Sequence, residues 1–191
     1  MIEANQQVTI IMTGPCSNLV QAIKDFPEIR AKIKEIVWMG GAFRKQGNVQ
    51  TYQHDSTAEW NIYWDPKNSK DLIEMNLPLI CIPLDVTNKV PVTKLFLAKL
   101  AEQSNFSLSN LAGQLWALTI YTIPNYYYTY FMWDILATSY LAISEEFTVE
   151  KIKVSVSVRP PNAGQTIIDS NGHEITIATD VNIEAFYDYI L

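Results

Sequence analysis

Four residues between positions 48 and 61 could together bind a sugar. Asn48 follows a glycine, and Glu59, Trp60 and Asn61 form a second polar and aromatic run a little further along the same loop. Amide and carboxylate groups supply the hydrogen-bond donors and acceptors that a polyol requires. The alternative is a solvated loop in which the asparagines bond to their own backbone. We therefore treat this loop as a candidate sugar-binding segment.

Asp134 is the second candidate for chemistry. It is the first acidic residue after a stretch, residues 103–133, that contains no Asp, Glu, Lys or Arg, and bulky apolar side chains flank it. A carboxylate in such surroundings must be paired, protonated or bound to a cation. The alternative is that Asp134 caps a helix that begins at Ile135. Both interpretations stay open at this point.

Several common catalytic motifs are absent from the sequence. There is no glycine-rich dinucleotide or P-loop motif, no nucleophile elbow, and no Cys/His cluster with zinc spacing. His54 and His173 are the only histidines, and both lie in polar, turn-rich sequence. We therefore expect both histidines at the surface.

The composition restricts the class of protein and its partners. The chain has 191 residues, of which 48% are hydrophobic, and its formal net charge is −6. An acidic chain repels phosphate backbones, so we expect no nucleic-acid partner. Residues 1–7 have no signal-peptide pattern, and the uncharged stretch 103–133 contains too many polar residues for a membrane span. Cys16 and Cys81 lie in apolar runs, which favours buried, reduced thiols and a cytoplasmic location.

Short apolar runs that alternate with helical patterns predict an α/β fold with a mainly parallel open sheet flanked by helices. The predicted strands are residues 8–12, 36–39 and 79–84. Helices are predicted after a cap at Asn18, after Pro27, and from an Asp65 cap to about Met75. Ligands of such sheets bind at the carboxyl edge, which here receives the loops 13–18, 39–61 and 83–87.

The second half of the chain has a different pattern. Residues 92–143 are predicted to be helical with a break around Pro124. An alternating strand, residues 152–158, and the turn pair Asn171-Gly172 predict a small β-hairpin near the C-terminus. Asp180 is predicted to cap a last helix. No repeat or linker divides the sequence, so we expect a single domain over residues 1–191.

Several motifs resemble the inosine–uridine-preferring nucleoside hydrolase family. Residues 13–19, TGPCSNL, are similar to its TGPLTNL segment, and residues 58–66, AEWNIYWDP, are similar to its AEFNIxxDP segment. The run IVWMGG at 36–41 with Gly47-Asn48, and PLDVT at 83–87, match further family signatures. Trp133-Asp134 lies where the family has a metal-binding aspartate, and the tail from Gly164 to Phe186 is also similar. The matches are ordered along the whole chain.

The resemblance implies hydrolysis of the N-glycosidic bond of a ribonucleoside to ribose and a free base. In the family, a calcium ion holds the ribose 2′- and 3′-hydroxyls and a water molecule. An aspartate deprotonates this water for attack on the anomeric carbon. A hard cation beside oxygen ligands and a carboxylate base suits this chemistry.

The resemblance also assigns expected roles to single residues. Asp134 and the backbone carbonyl of Ser17 are the expected calcium ligands. The expected ribose contacts are Asn48, Glu59 and Asn61, with Met39 beneath the sugar and Trp60 beside it. Trp133 stands where many members have a histidine that protonates the leaving base; a tryptophan can only stack on the base or pack.

The chain departs from the family pattern at its start. The family's first strand ends in an aspartate-rich motif that supplies most calcium ligands and the general base, whereas residues 1–12 contain Glu3 as their only acid. We therefore expect a member that is N-terminally truncated relative to the family and inactive as an isolated chain. The alternative is a non-catalytic ribose- or nucleoside-binding or interaction protein. Either a homo-oligomer or a completing partner chain is expected, because lost strands leave an apolar sheet edge.

Overall fold

The computed structural model describes residues 7–122 and 129–191. The strands are β1 (Val8–Met12), β2 (Ile33–Met39), β3 (Leu79–Ile82), β4 (Phe147–Val156), β5 (Thr166–Ile168) and β6 (His173–Val181). The helices are α1 (Ser17–Asp25), α2 (Trp60–Tyr63), α3 (Pro66–Glu74), α4 (Leu84–Thr87), α5 (Lys94–Glu102), α6 (Ser107–Thr122), α7 (Trp133–Ser139) and α8 (Ile183–Ile190). Short 3-10 helices occupy Pro27–Lys32 and Ser144–Glu146.

The six strands form one sheet in the order β1-β2-β3-β6-β4-β5. The pairs β1–β2, β2–β3 and β3–β6 are parallel, and β4 runs antiparallel to both β6 and β5. Strands β5 and β6 lie on opposite sides of β4, and the turn at Asn171 and Gly172 connects them. This arrangement is the predicted small β-hairpin near the C-terminus. The predicted α/β class with a mainly parallel sheet is confirmed.

Helices cover both faces of the sheet, and β2 shows why. Alternate side chains of this strand enter different cores: Ile36 and Trp38 pack with α1 and α3, whereas Val37 and Met39 pack with α4, α5, α7 and α8. All four side chains are buried. A strand that is buried on both faces requires an uninterrupted apolar run, which is the pattern of a parallel sheet.

Two predicted helix caps are wrong. Helix α1 begins after Cys16, without a side-chain cap, so Asn18 lies inside the helix. Helix α8 is capped by Asn182, whose side chain accepts from the backbone N–H of Ala185. Asp180 belongs to β6, which continues to Val181, so it lies before the start of the helix, and its carboxylate pairs with Lys89 at 2.8 Å.

The other predicted helices need smaller changes. The Asp65 cap is confirmed, because its carboxylate accepts from the Asn68 N–H at the start of α3. The segment after the first proline is a 3-10 helix, Pro27–Lys32, and not an α-helix. Helices α5, α6 and α7 lie in the predicted helical region, whereas the break expected around Pro124 lies outside the described residues.

The cysteines follow the prediction and one histidine does not. Cys16 and Cys81 are free and buried, and burial raises the pKa of the Cys16 thiol to about 11. The side chain of His54 is only 3% exposed, which corrects the expected surface position. One ring nitrogen bonds the carbonyl of Ala163 at 2.8 Å, and the other accepts from the Ser56 N–H. Because both nitrogens have partners, the burial of the ring costs little.

No helix in the described parts of the chain is long and apolar enough to cross a membrane.

We predict that Gly172→Ala destabilises the fold. A Cβ at this position would lie 2.2 Å from the backbone oxygen of Val154, so the turn would have to move away from β4. The expected loss in the free energy of unfolding is about 1–3 kcal/mol, measured by urea denaturation. Gly113→Ala is the matched control, because its new Cβ would meet only Leu100, at 3.8 Å, inside a helix. Equal stability of the Gly172→Ala variant and the wild type would contradict the close approach.

Candidate functional site

A cavity of about 240 Å³ opens at the carboxyl edge of the sheet, where β1 and β2 end. Its lining consists of Thr13, Met39, Asn48, Glu59, Trp60, Asn61, Tyr130, Trp133 and Asp134. The structure thus brings together every residue singled out in the sequence except Ser17. Thr13 and Tyr130 are additions that sequence reasoning did not single out as site residues, although Thr13 begins the TGPCSNL segment.

Glu59 is the buried centre of this cavity wall. Only 2% of the residue is exposed, and its carboxylate caps the N-terminus of α2. One oxygen accepts from the Asn61 N–H at 2.9 Å. The other accepts from the N–H groups of Gly41 at 3.2 Å and Ile62 at 3.3 Å. The carboxylate therefore fixes the loop that follows β2 against the first turn of α2.

Burial sets the charge state of Glu59. Desolvation raises the pKa of its carboxyl to about 7, although the three backbone N–H groups oppose the shift. The nearby carboxylate of Asp134 raises the pKa further. Partial desolvation also raises the pKa of Asp134 above its usual range, although the residue as a whole is exposed. Both carboxyl groups line the same cavity, where two negative charges together are unfavourable. A bound cation, or a ligand hydroxyl that donates a hydrogen bond, would lower the free energy of the charged forms.

The two asparagines are held by side-chain hydrogen bonds that use one amide atom of each and leave the other amide atom available. The Asn48 side-chain oxygen accepts from the Trp60 N–H at 3.1 Å, so its NH₂ group can donate to a ligand. The Asn61 NH₂ group donates to the Met39 carbonyl at 3.0 Å, so its oxygen can accept. A donor and an acceptor are thus presented on one wall of the cavity, beside the carboxylate of Glu59.

Backbone packing holds Asn48 in place. The N–H of Asn48 donates to the Ala58 carbonyl at 3.0 Å. The preceding residue, Gly47, lies so close to Ala58 that a Cβ there would come within 2.1 Å of the same oxygen. Only glycine permits this approach, which explains why the sequence places a glycine before Asn48.

Aromatic rings form another part of the lining. The ring of Trp133 lies 4.8 Å from that of Tyr130, and Tyr130 in turn contacts Trp116 edge-on at 5.4 Å. The indole N–H of Trp133 donates to the side-chain oxygen of Asn88 at 3.1 Å, which orients the ring. A flat, apolar surface of this kind suits stacking with a planar ligand group.

The loop after β2 is anchored by two residues for which the sequence suggested no role. The buried Asp85 carboxylate accepts from the backbone N–H groups of Phe43 and Arg44 at 2.8 and 2.6 Å. The Thr166 hydroxyl both accepts from the N–H of Ala42 and donates to its carbonyl. The positions of Asp85 and Thr166 in the PLDVT run and the similar tail were the available signals. Together they keep Gly41 within reach of Glu59.

Two expected calcium ligands differ in their placement. Asp134 lies in the first turn of α7, and Met132 occupies the N-cap, so the helix-cap interpretation of Asp134 is wrong. Its carboxylate lines the cavity and accepts no hydrogen bond among the described residues. Ser17 does not line the cavity, and its hydroxyl donates to Asp65 at 2.5 Å.

The described residues alone do not fit a calcium ion. Such an ion takes 6–8 oxygen ligands, several of them carboxylates. Within residues 7–122 and 129–191, no three His, Cys, Asp or Glu side chains come together as a metal site. Asp134 can supply one ligand group to such a site, and the remaining ligands have no source in the described part of the chain.

The raised pKa of Glu59 generates a prediction about stability. Because its pKa in the folded protein, about 7, lies above the ordinary glutamate value of 4.5, folding favours the protonated form. This stabilisation is complete below about pH 4.5 and disappears as the pH rises through about 7. Relative to Glu59→Gln, the wild type should lose at most about 3 kcal/mol over this interval.

Urea denaturation at a series of pH values, with a chelator present, measures this difference. Glu145→Gln is the matched control, because Glu145 is an exposed glutamate on the surface. Its pH profile should follow that of the wild type. If the wild type and Glu59→Gln showed parallel pH profiles, Glu59 would not be the buried titrating group described above.

The comparison with known proteins agrees with this geometry. The inosine-uridine preferring nucleoside hydrolase family matches residues 1–188. A solved inosine-uridine preferring nucleoside hydrolase from Bacillus anthracis is 34% identical, with a TM-score of 0.90, and the match covers 99% of this chain and 62% of that one. A purine-preferring ribonucleoside hydrolase from Gardnerella vaginalis is 26% identical, with a TM-score of 0.83, over 98% of this chain and 60% of that one.

A curated relative gives the same result. The non-specific ribonucleoside hydrolase RihC of Escherichia coli O127:H6 is 27% identical over 100% of this chain and 61% of its own length. The chain therefore spans about three-fifths of the relatives that it matches. The family profile, the fold and the ordered motifs agree, and the chain belongs to the inosine-uridine preferring nucleoside hydrolase family.

Proposed function

We propose that this chain binds the ribose of a ribonucleoside in the cavity at the carboxyl edge of its sheet. The supporting observation is the wall formed by Asn48, Glu59 and Asn61, where a free amide donor, a free amide acceptor and a carboxylate lie side by side. Vicinal hydroxyls both donate and accept, so such a wall can satisfy two of them at once. The cavity measures about 240 Å³.

The aromatic lining suits the base of the same nucleoside. Trp133 and Tyr130 lie next to each other on the cavity wall, and Met39 and Trp60 line its other parts. The Trp133 indole carries no group that can protonate a leaving base near neutral pH, so we assign it to stacking. This stacking surface suits the base of inosine, of uridine or of another nucleoside equally, because every base has a flat face.

We further propose that the chain is part of a calcium-assisted nucleoside hydrolase and does not cleave nucleosides by itself. Asp134 would hold the ion with one carboxylate, whereas Ser17 lies outside the cavity lining. A bound calcium ion would orient and acidify the attacking water. The family's aspartate-rich motif has no counterpart in residues 1–12, so this chain supplies neither the general base nor most of the ligands.

The second candidate function is non-catalytic binding of ribose or a nucleoside. Two observations together favour this function: the cavity has a polar wall, and the described residues supply too few ligands for a metal ion. A partner chain that completes the enzyme would distinguish the two candidates. It could bind at the outer edge of the sheet, because β1 pairs only with β2 among the described strands and its side chains are half-buried.

We also propose a cytoplasmic location, with which the two buried free thiols are compatible.

Asn48→Ala should weaken ribose binding. The substitution removes one hydrogen-bond donor, which is worth about 0.5–1.5 kcal/mol, or an affinity loss of roughly 2- to 12-fold. Isothermal titration calorimetry with ribose and with inosine measures the change, and thermal melting checks that the variant folds. Asn110→Ala is the matched control, because this asparagine lies exposed on α6. Equal ribose affinity of Asn48→Ala and the wild type would sink the proposed site.

The chain alone should release no base from inosine or uridine at millimolar calcium. Its calorimetric affinity for ribose should also be the same with calcium and with a chelator, because the ion lacks a complete set of ligands. Adding a separate polypeptide that carries an aspartate-rich segment should restore hydrolysis if the chain is part of an enzyme. No restoration, with ribose binding intact, would favour the non-catalytic binder. Hydrolysis by the isolated chain would refute the proposed inactivity.

A further inference from the structure

The Trp133 indole is held by a residue that lies outside the cavity lining. Its ring N–H donates to the side-chain oxygen of Asn88 at 3.1 Å. An indole has only this one hydrogen-bonding atom, so a partner for it restricts the rotation of the whole ring. Asn88 is 45 residues away in sequence, at the C-terminal end of α4. The hydrogen bond therefore sets the angle of an aromatic part of the cavity wall from outside the cavity.

Backbone pairing brings Asn88 and Trp133 together. The segments 90–92 and 130–132 run antiparallel, and two backbone hydrogen bonds of 2.9 and 2.7 Å join them. In an antiparallel pair, the residues just before one segment lie beside the residues just after the other. Asn88 and Trp133 occupy these places, so the pairing holds their backbones close to each other.

Asn88 is anchored on both sides. The four residues of α4 before it are buried, and its own N–H donates to the Leu84 carbonyl at 3.2 Å. The next residue, Lys89, reaches β6, where its ammonium group donates to the Thr179 carbonyl at 3.0 Å and pairs with Asp180 at 2.8 Å. These contacts restrict the backbone of Asn88, so its side-chain oxygen is a well-placed acceptor for the indole.

The angle of the Trp133 ring matters for stacking. Tyr130 and Phe131 contact the indole with ring centres 4.8 and 5.9 Å away and ring planes tilted by 59° and 55°. Neither of these rings is therefore parallel to the indole. A planar base in offset stacking has to lie parallel to the ring that it contacts. Its affinity thus depends on the angle at which the indole is held.

We propose that Asn88 is a positioning residue for base recognition: its side-chain oxygen holds the Trp133 indole at the angle at which the ring stacks on the nucleobase. This role rests on the nucleoside site proposed above. Only a hydrogen-bond acceptor at position 88 can fulfil it, because the indole N–H is a donor. Asn88 should therefore affect the binding of the base and leave the binding of the sugar unchanged, since other residues form the proposed ribose contacts.

Two substitutions of similar size test the acceptor at position 88. Asn88→Leu has no acceptor, whereas Asn88→Asp keeps one. Isothermal titration calorimetry of the whole chain gives the affinities for inosine and for ribose. Asn88→Leu should lower the ratio of inosine to ribose affinity by roughly 2- to 5-fold, the effect of one exposed hydrogen bond. Asn88→Asp should keep the wild-type ratio, and so should the matched control Asn110→Leu, at an exposed asparagine of α6.

A double-mutant cycle tests whether Asn88 acts through Trp133. Trp133→Phe keeps an aromatic ring at this position but removes the N–H that Asn88 accepts. In the Trp133→Phe background, Asn88→Leu should therefore leave the ratio of inosine to ribose affinity unchanged. Thermal melting of each variant checks that it folds.

The contrary results are distinguishable from failure of the nucleoside site itself. An unchanged ratio in Asn88→Leu, or an equal loss of inosine and ribose affinity, would overturn the positioning role and leave the site in place. A further fall of the ratio in the Trp133→Phe background would do the same. A wild type that binds inosine no more tightly than ribose, or binds neither, would overturn the proposed nucleoside site and the role of Asn88 with it.

Discussion

The cavity depends on one buried carboxylate. Glu59 accepts three backbone hydrogen bonds, and these join the loop after β2 to the first turn of α2. A carboxylate at a helix N-terminus gains from the exposed N–H groups and from the helix dipole, which offsets part of its desolvation. Because the same residue lines the cavity, the interaction that closes the loop also places an acid next to the ligand.

Three further residues hold the two segments that Glu59 joins. Asp85 and Thr166 fix the backbone of residues 42–44, which keeps the Gly41 N–H directed at Glu59. Gly47 allows its part of the loop to contact the backbone of Ala58 directly. Each of these groups satisfies polar atoms of the backbone, so the cavity is preorganised before any ligand binds. Such preorganisation matters most for a small polar ligand, because its few contacts could not offset the loss of entropy on ordering a loop.

The sequence predicted what depends on local patterns and family motifs. Apolar runs predicted three of the strands, and the Asp65-Pro66 pair predicted the start of α3 because both residues favour the first turn of a helix. The cap at Asp180 failed because β6 continues to Val181 and helix α8 begins only after Asn182. The buried His54 and the anchoring role of Asp85 depend on partners that only the tertiary fold brings near. Long-range pairing of polar groups leaves no periodic trace in a sequence.

The chain has a cavity lined by polar and aromatic side chains, its described residues form no cluster of three metal-binding side chains, and it covers about 61% of the length of a curated relative. We propose that the cavity beside Glu59 holds ribose. A crystal structure of the chain soaked with ribose would test this binding site. We predict ribose hydroxyls within hydrogen-bond distance of Asn48, Glu59 and Asn61, with Asp134 facing the same sugar. An empty cavity at saturating ribose, or ribose bound elsewhere on the chain, would show that this cavity is not the ribose site.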